Sequence, residues 1–219
     1  MNIKRILKND LSIFMARSNE GKTMALVNLI LAYKKNFDGD VWVFGMKEEI
    51  TLGLGVKTFQ SLVELEQIKE AIIVIDEVGL IFDLENRKQK KQIDLTLRKV
   101  NHNGNKIVLC GLPTDFKKYI CAKAKCFMYK TLKISDLING SEAKEVINQY
   151  NGDEKGTYIL GLPIGKMLCF DKHYWVEDID YLVEFDTKRE NKDLFCVPKN
   201  IQEKVKKSVA GEAPAGGSK

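Results

Sequence analysis

Ala16-Arg17-Ser18-Asn19-Glu20-Gly21-Lys22-Thr23 reads A-x-x-x-x-G-K-T, one residue away from the phosphate-cradling pattern G-x-x-x-x-G-K-[ST]. Successive backbone N–H groups must wrap a polyphosphate there, and glycine at position 21 lets the main chain come close to it. Lys22 would set a point charge beside the β- and γ-phosphates, and the Thr23 hydroxyl would ligate Mg²⁺. A helix opening at this point would aim its positive end at the anion. Ala16 stands where the pattern has its first glycine and is small enough for a tight turn. The expected nucleotide contacts are Ser18, Asn19, Glu20, Gly21, Lys22, Thr23 and Met24.

Such a loop needs a buried strand before it and a helix after it. Residues 11–15 (LSIFM) read as the strand, and residues 23–35 (TMALVNLILAYKK) as the helix. The alternation continues. Residues 40–44 (DVWVF) are a strand, 56–59 a short extended piece and 61–69 a short helix. Residues 71–75 (AIIVI) form a continuous apolar run, as expected of a central parallel strand covered on both faces. Residues 84–101 read as a long polar-rich helix carrying Ile93, Leu95, Leu97 and Val100. Residues 107–110 are a further strand, 115–122 a helix capped by Asp115, and 126–129 a fifth strand. This order predicts an α/β fold around a parallel sheet.

The apolar run ends in Asp76-Glu77. Two carboxylates at the carboxyl edge of a buried strand lie where ligands sit in open α/β sheets. Asp76 would hold Mg²⁺ together with Thr23, and Glu77 would act as general base on the water attacking a γ-phosphate. ATP and Mg²⁺ are the cofactors this pair of motifs calls for.

Composition sets the remaining bounds. The chain has 219 residues, 44% hydrophobic and 30% charged, with a formal net charge of +5. This is ordinary for a globular domain, and the charge does not by itself indicate nucleic acid. Basic residues gather in two places: Arg87-Lys88-Gln89-Lys90-Lys91, and Lys117-Lys118 with Lys123 and Lys125. The five cysteines include no C-x-x-C pair, which fits reduced thiols. The apolar run 24–33 is too short to span a membrane, and the N-terminus lacks a secretory signal pattern. The expected location is therefore cytoplasmic.

With A-R-S-N-E-G-K-T, I-I-V-I-D-E and the stretch 97–109 (LRKVNHNGNKIVL) in view, roughly residues 8–130 resemble the FtsK–HerA superfamily of DNA-pumping ATPases. Its viral genome-packaging branch and its Zot-like relatives are included in that likeness. The resemblance implies a P-loop NTPase with a RecA-like central parallel sheet flanked by helices. It implies ATP hydrolysis that drives double-stranded DNA, a homo-oligomeric ring such as a hexamer, and a possible capsid partner in the host cytoplasm or virion. It also implies an arginine acting on a neighbour's site, for which Arg98 is the first choice and Arg87 the second. The family's γ-phosphate-sensing Gln is absent after the strand at 107–110. The sequence there runs Cys110-Gly111-Leu112-Pro113-Thr114, and Thr114 is the polar residue available.

A second likeness, to nucleoside kinases of the thymidine-kinase type, rests on Asp76-Glu77-Val78-Gly79 and Gly111-Leu112-Pro113-Thr114-Asp115-Phe116. The zinc-binding cysteine pairs of that family have no counterpart here. A Zot-like assembly or secretion ATPase is the other alternative.

Residues 1–130 are expected to form the ATPase core, 131–207 an α+β extension packed on it, and 208–219 (VAGEAPAGGSK preceded by Ser208) a disordered tail. The extension is expected to hold a helix at 141–150, strands at 157–162 and 166–171 around Pro163-Ile164-Gly165, and a strand at 180–185.

Overall fold

Ile72, Ile73, Val74 and Ile75 are all fully buried, because both faces of the strand they form are covered. Side chains alternate across a strand. Ile73 and Ile75 face a layer with Ile93, Leu97 and Val100, while Ile72 and Val74 face one with Leu26, Ile30 and Ile50. The computed structural model describes residues 1–17, 20–82, 87–116, 118–130 and 165–182.

In chain order the elements are α1 (Ile3–Ile6), β1 (Leu11–Met15), α2 (Lys22–Asn36), β2 (Val41–Phe44), α3 (Glu48–Leu54), β3 (Lys57–Thr58), α4 (Leu62–Leu65) and β4 (Ile72–Ile75). They continue with α5 (Val78–Ile81), α6 (Arg87–His102), β5 (Lys106–Gly111), a 3-10 turn (Pro113–Asp115), α7 (Lys118–Cys121), β6 (Cys126–Tyr129), β7 (Lys166–Phe170) and β8 (Tyr174–Asp178). The strands form one sheet in the order β3-β2-β4-β5-β1-β6-β7-β8. Every pairing from β3 to β6 is parallel, and β7 and β8 are antiparallel additions. β5 therefore lies between the two strands that carry the motifs. The parallel α/β architecture read from the sequence is the one observed.

The helices obey the pattern that predicts them, with adjustments. On α6, Ile93, Leu97 and Val100 are buried, whereas Leu95 points outward at 56% exposure. Thr96 takes the inner position and donates to Glu66 at 2.8 Å. The single helix expected over 115–122 is instead a 3-10 turn and one turn of α7. Phe116 separates them in extended backbone, because its ring is buried against the sheet. Asp115 does not cap α7; its carboxylate accepts from the Leu112 N–H at 2.7 Å.

At the far rim, β7 falls where a strand is expected and pairs antiparallel with both β6 and β8. Residues 180–182 carry no strand. They lie along α2 instead: Asn28 exchanges two hydrogen bonds with the Asp180 backbone, and the Leu182 N–H donates to Met24 Sδ. Arg5 grips Asp171 through two hydrogen bonds of 2.8 and 2.9 Å and lies over the Trp175 ring at 3.7 Å. The elements expected at 141–150 and 157–162, and the tail at 208–219, lie outside the described residues.

Candidate functional site

α2 begins where the sequence requires a sharp change of direction. Gly21 caps it with φ 77° and ψ 26°, a left-handed conformation that costs a side-chain-bearing residue but not glycine. A methyl group there would meet Lys130 Cε at 3.8 Å, an ordinary contact. The glycine is needed for its backbone angle rather than for room. The first N–H groups of a helix have no intrahelical acceptor, so those of the opening turn of α2 are available to an anion.

Lys22 is buried in that turn and reaches across to the end of β4. Its ammonium is ion-paired with Glu77 and lies 3.6 Å from Asp76 Oδ1. Burial works against its charge, but the Glu77 hydrogen bond and the Asp76 charge outweigh it and hold the amine above its ordinary pKa.

Asp76 is nearly inaccessible at 4% exposure. Burial raises its pKa above the usual carboxylate value, against the pull of Lys22. Its Oδ1 is buried with no hydrogen-bond partner. An orphaned carboxylate oxygen beside a helix start fits a divalent cation that completes its shell with phosphate oxygens and water. Among the described residues no group of three or more His, Cys, Asp or Glu side chains gathers to hold a metal. A cation here would rest on Asp76, the Thr23 hydroxyl and the nucleotide itself.

Glu77 has φ 63° and ψ 65°, a left-handed backbone rare for a residue with a side chain. Such conformations persist where the surroundings enforce them, and they cluster at working sites. This one aims the carboxylate at Lys22 rather than along α5.

Three residues have no motif to announce them. Gly45 follows β2 with φ 85°, and a Cβ on it would fall 2.0 Å from the Asp76 carbonyl oxygen. Only glycine lets β2 end so close to Asp76. Cys110, on β5 beside Asp76, is buried, and burial first and then the Asp76 charge push its thiol well above the usual value. Lys130 follows β6, is buried beside Gly21, and donates to the Lys166 carbonyl at 2.9 Å. Burial lowers its amine to about 8, while Glu20 opposes that shift. A hydrophobic run ending in lysine carries no signal; only the pairing of β6 with β1 brings it to the loop.

Of the residues singled out from sequence, Gly21, Lys22, Asp76 and Glu77 come together, with Thr23 in the same helical turn. Met24 also lies in that turn, with its sulfur on Leu182. Glu20 is half-buried just before it, and Ser18 and Asn19 lie outside the described residues. Arg98 is not part of the constellation. It is exposed on α6, pairs with Asp94 at 3.0 Å, and sits near the helix end that returns to the amino edge of the sheet. Thr114 is exposed in the 3-10 turn, and the residue of β5 that meets Asp76 is Cys110.

No family model matches the chain, and no curated protein matches it in sequence. Solved structures do match in fold. The genome packaging NTPase B204 from Sulfolobus turreted icosahedral virus 2, in complex with AMPPCP, aligns with a TM-score of 0.58 at 12% identity, covering 80% of this chain and 99% of that one. The same protein in complex with ATP-gammaS gives 0.55 at 13%, covering 82% and 98%. EssC (ATPases 2 and 3) from Geobacillus thermodenitrificans aligns with 0.59 at 12%, covering 95% of this chain and 46% of that one. At such identities the likeness concerns the fold alone, which this chain shares with these NTPase and ATPase structures.

Proposed function

We propose that this chain hydrolyses ATP with Mg²⁺ and uses the reaction to move double-stranded DNA, as in packaging a viral or mobile-element genome. One observation carries the reading. Lys22 at a helix start, the orphaned Asp76 oxygen and the strained Glu77 converge at the carboxyl edge of one parallel sheet.

Each residue then has a task. The N–H groups from Gly21 to Met24 hold the phosphate chain, with Ser18, Asn19 and Glu20 completing the loop. Lys22 leaves Glu77 for the β- and γ-phosphates. Released from Lys22, Glu77 accepts the proton of the attacking water. Asp76 and Thr23 hold Mg²⁺, which when bound offsets charge on the phosphates. Arg98 faces solvent and serves a neighbour's site in a ring of identical chains. A capsid partner and a place in the host cytoplasm or virion follow from a packaging role.

Two features support the DNA part of the reading: the fold likeness to a genome-packaging NTPase, and the basic character of α6. Phosphate release from ATP, measured with and without Mg²⁺ and with and without linear duplex DNA, tests it. Mg²⁺-dependent release stimulated by duplex DNA is the expected result. Release that responds to a nucleoside instead would point to the kinase alternative. Hydrolysis indifferent to both would favour an assembly or secretion ATPase.

A further inference from the structure

The two basic clusters of the sequence lie about thirty residues apart, and the fold brings them together. α6 and the segment around α7 pack side by side on one face of the sheet. Between them runs an open groove of about 330 Å³ lined by Lys90, Lys91, Asp94, Tyr119 and Lys123. Asp94 is already engaged, pairing with Lys123 and with Arg98. Lys90 and Lys91 are exposed and have no acidic partner among the described residues. The Lys90 ammonium lies over the Tyr119 ring, 4.6 Å from its centroid. The Tyr119 hydroxyl is buried in the groove wall with no hydrogen-bond partner.

Three lysines around one carboxylate repel one another unless an anion joins them. We infer that this groove holds phosphodiester groups of a nucleic-acid backbone, with Lys90, Lys91 and Lys123 supplying charge and the Tyr119 ring forming part of the wall. The inference rests on the DNA reading above and names where the DNA would lie. Lysine ammoniums are point charges without a fixed fork, so they track phosphates without reading bases. The volume suits a phosphate and its sugar, and is small for a folded acidic element.

The test uses the full chain and a fluorescent 30-base-pair duplex of random sequence, followed by anisotropy over a salt series. Wild type is expected to bind with a strong salt dependence. The double variant Lys90→Gln/Lys123→Gln should bind at least tenfold more weakly at about 0.1 M salt, with a salt slope shallower by about 2. Lys99→Gln/Lys106→Gln removes two charges outside the groove and should bind as wild type does.

Equal losses in both double variants, or none in the groove variant, would overturn the groove while leaving the DNA motor intact. A wild type that hydrolyses ATP but binds no duplex would overturn both. Polyglutamate binding as tightly as DNA, and lost in the same variant, would assign the groove to an acidic protein and overturn the inference. Thermal unfolding of each variant separates lost binding from lost folding.

Discussion

Lys22 and Glu77 hold each other in an ion pair across the mouth of the nucleotide loop. The lysine that should meet the γ-phosphate and the carboxylate that should activate water are thus each other's partner until a nucleotide arrives. In the proposed reaction phosphate displaces Glu77 from Lys22, and the same exchange frees Glu77 to act. Glu77→Gln is therefore expected to lower kcat by about 10²- to 10⁴-fold. Affinity for ATP should stay equal or tighten, because Lys22 no longer has a charged competitor. Single-turnover hydrolysis and equilibrium binding of a fluorescent ATP analogue check the two halves separately.

Asp76 trades stability for its position. Its pKa is raised by burial, so at neutral pH its charge is carried at a cost to the fold. The sign follows from linkage: a folded-state pKa above the unfolded one makes stability fall as pH rises through that window. Asp76→Asn keeps the shape and removes the charge. It should stabilise the protein by about 0.5–2 kcal/mol while abolishing Mg²⁺-dependent hydrolysis. Urea unfolding at pH 7 alongside phosphate release would show both, and a variant that is less stable would contradict the account.

Gly45→Ala should be among the most damaging single-methyl changes in the chain. The new Cβ would lie 2.0 Å from the Asp76 carbonyl oxygen, a backbone atom that cannot rotate away. A loss of about 1–3 kcal/mol is expected from overpacking alone. ATP binding should weaken in the protein that remains folded, because Asp76 must shift. The midpoint of urea unfolding and ATP-analogue affinity measure these effects.

The Arg5–Asp171 pair ties the first helix to the β7–β8 hairpin and is expected to govern acid stability. Arg5 holds the Asp171 carboxyl below the usual carboxylate range, helped by the backbone N–H groups of Lys172 and His173. Stabilisation from such a group is complete above about pH 3.9 and is lost as pH falls further, through the folded-state value. Asp171→Asn should cost about 1 kcal/mol at pH 7, the pair being partly exposed. The gap from wild type should narrow as the pH is taken below about 3.9. Chemical unfolding at several pH values follows it.

The sequence was most legible where chemistry and burial coincide. Ile72–Ile75 is buried on both sides and is followed by two acids, so strand, edge and site could be read together. Gly21, Lys22 and Thr23 could be placed at a helix start because a phosphate-loop pattern restricts both residue type and spacing. α1 and α5 are single turns of four residues, too short to display a period of 3.6. β8 alternates only partly and mixes two aromatics with two acids. Gly45, Cys110 and Lys130 were silent for a different reason. Each matters through a neighbour supplied by another strand, and nothing local distinguishes them.

The β3 rim has a consequence for how copies of this chain can meet. β3 is two residues long and exposed, its Lys57 bonded to Asp40 and set over the Trp42 ring. A rim this short, with lysine on it, is a poor template for a further strand. Continuing the sheet from molecule to molecule is discouraged on that side, which guards against fibrous growth. Copies that gathered on that side would meet through side chains rather than by extending the sheet.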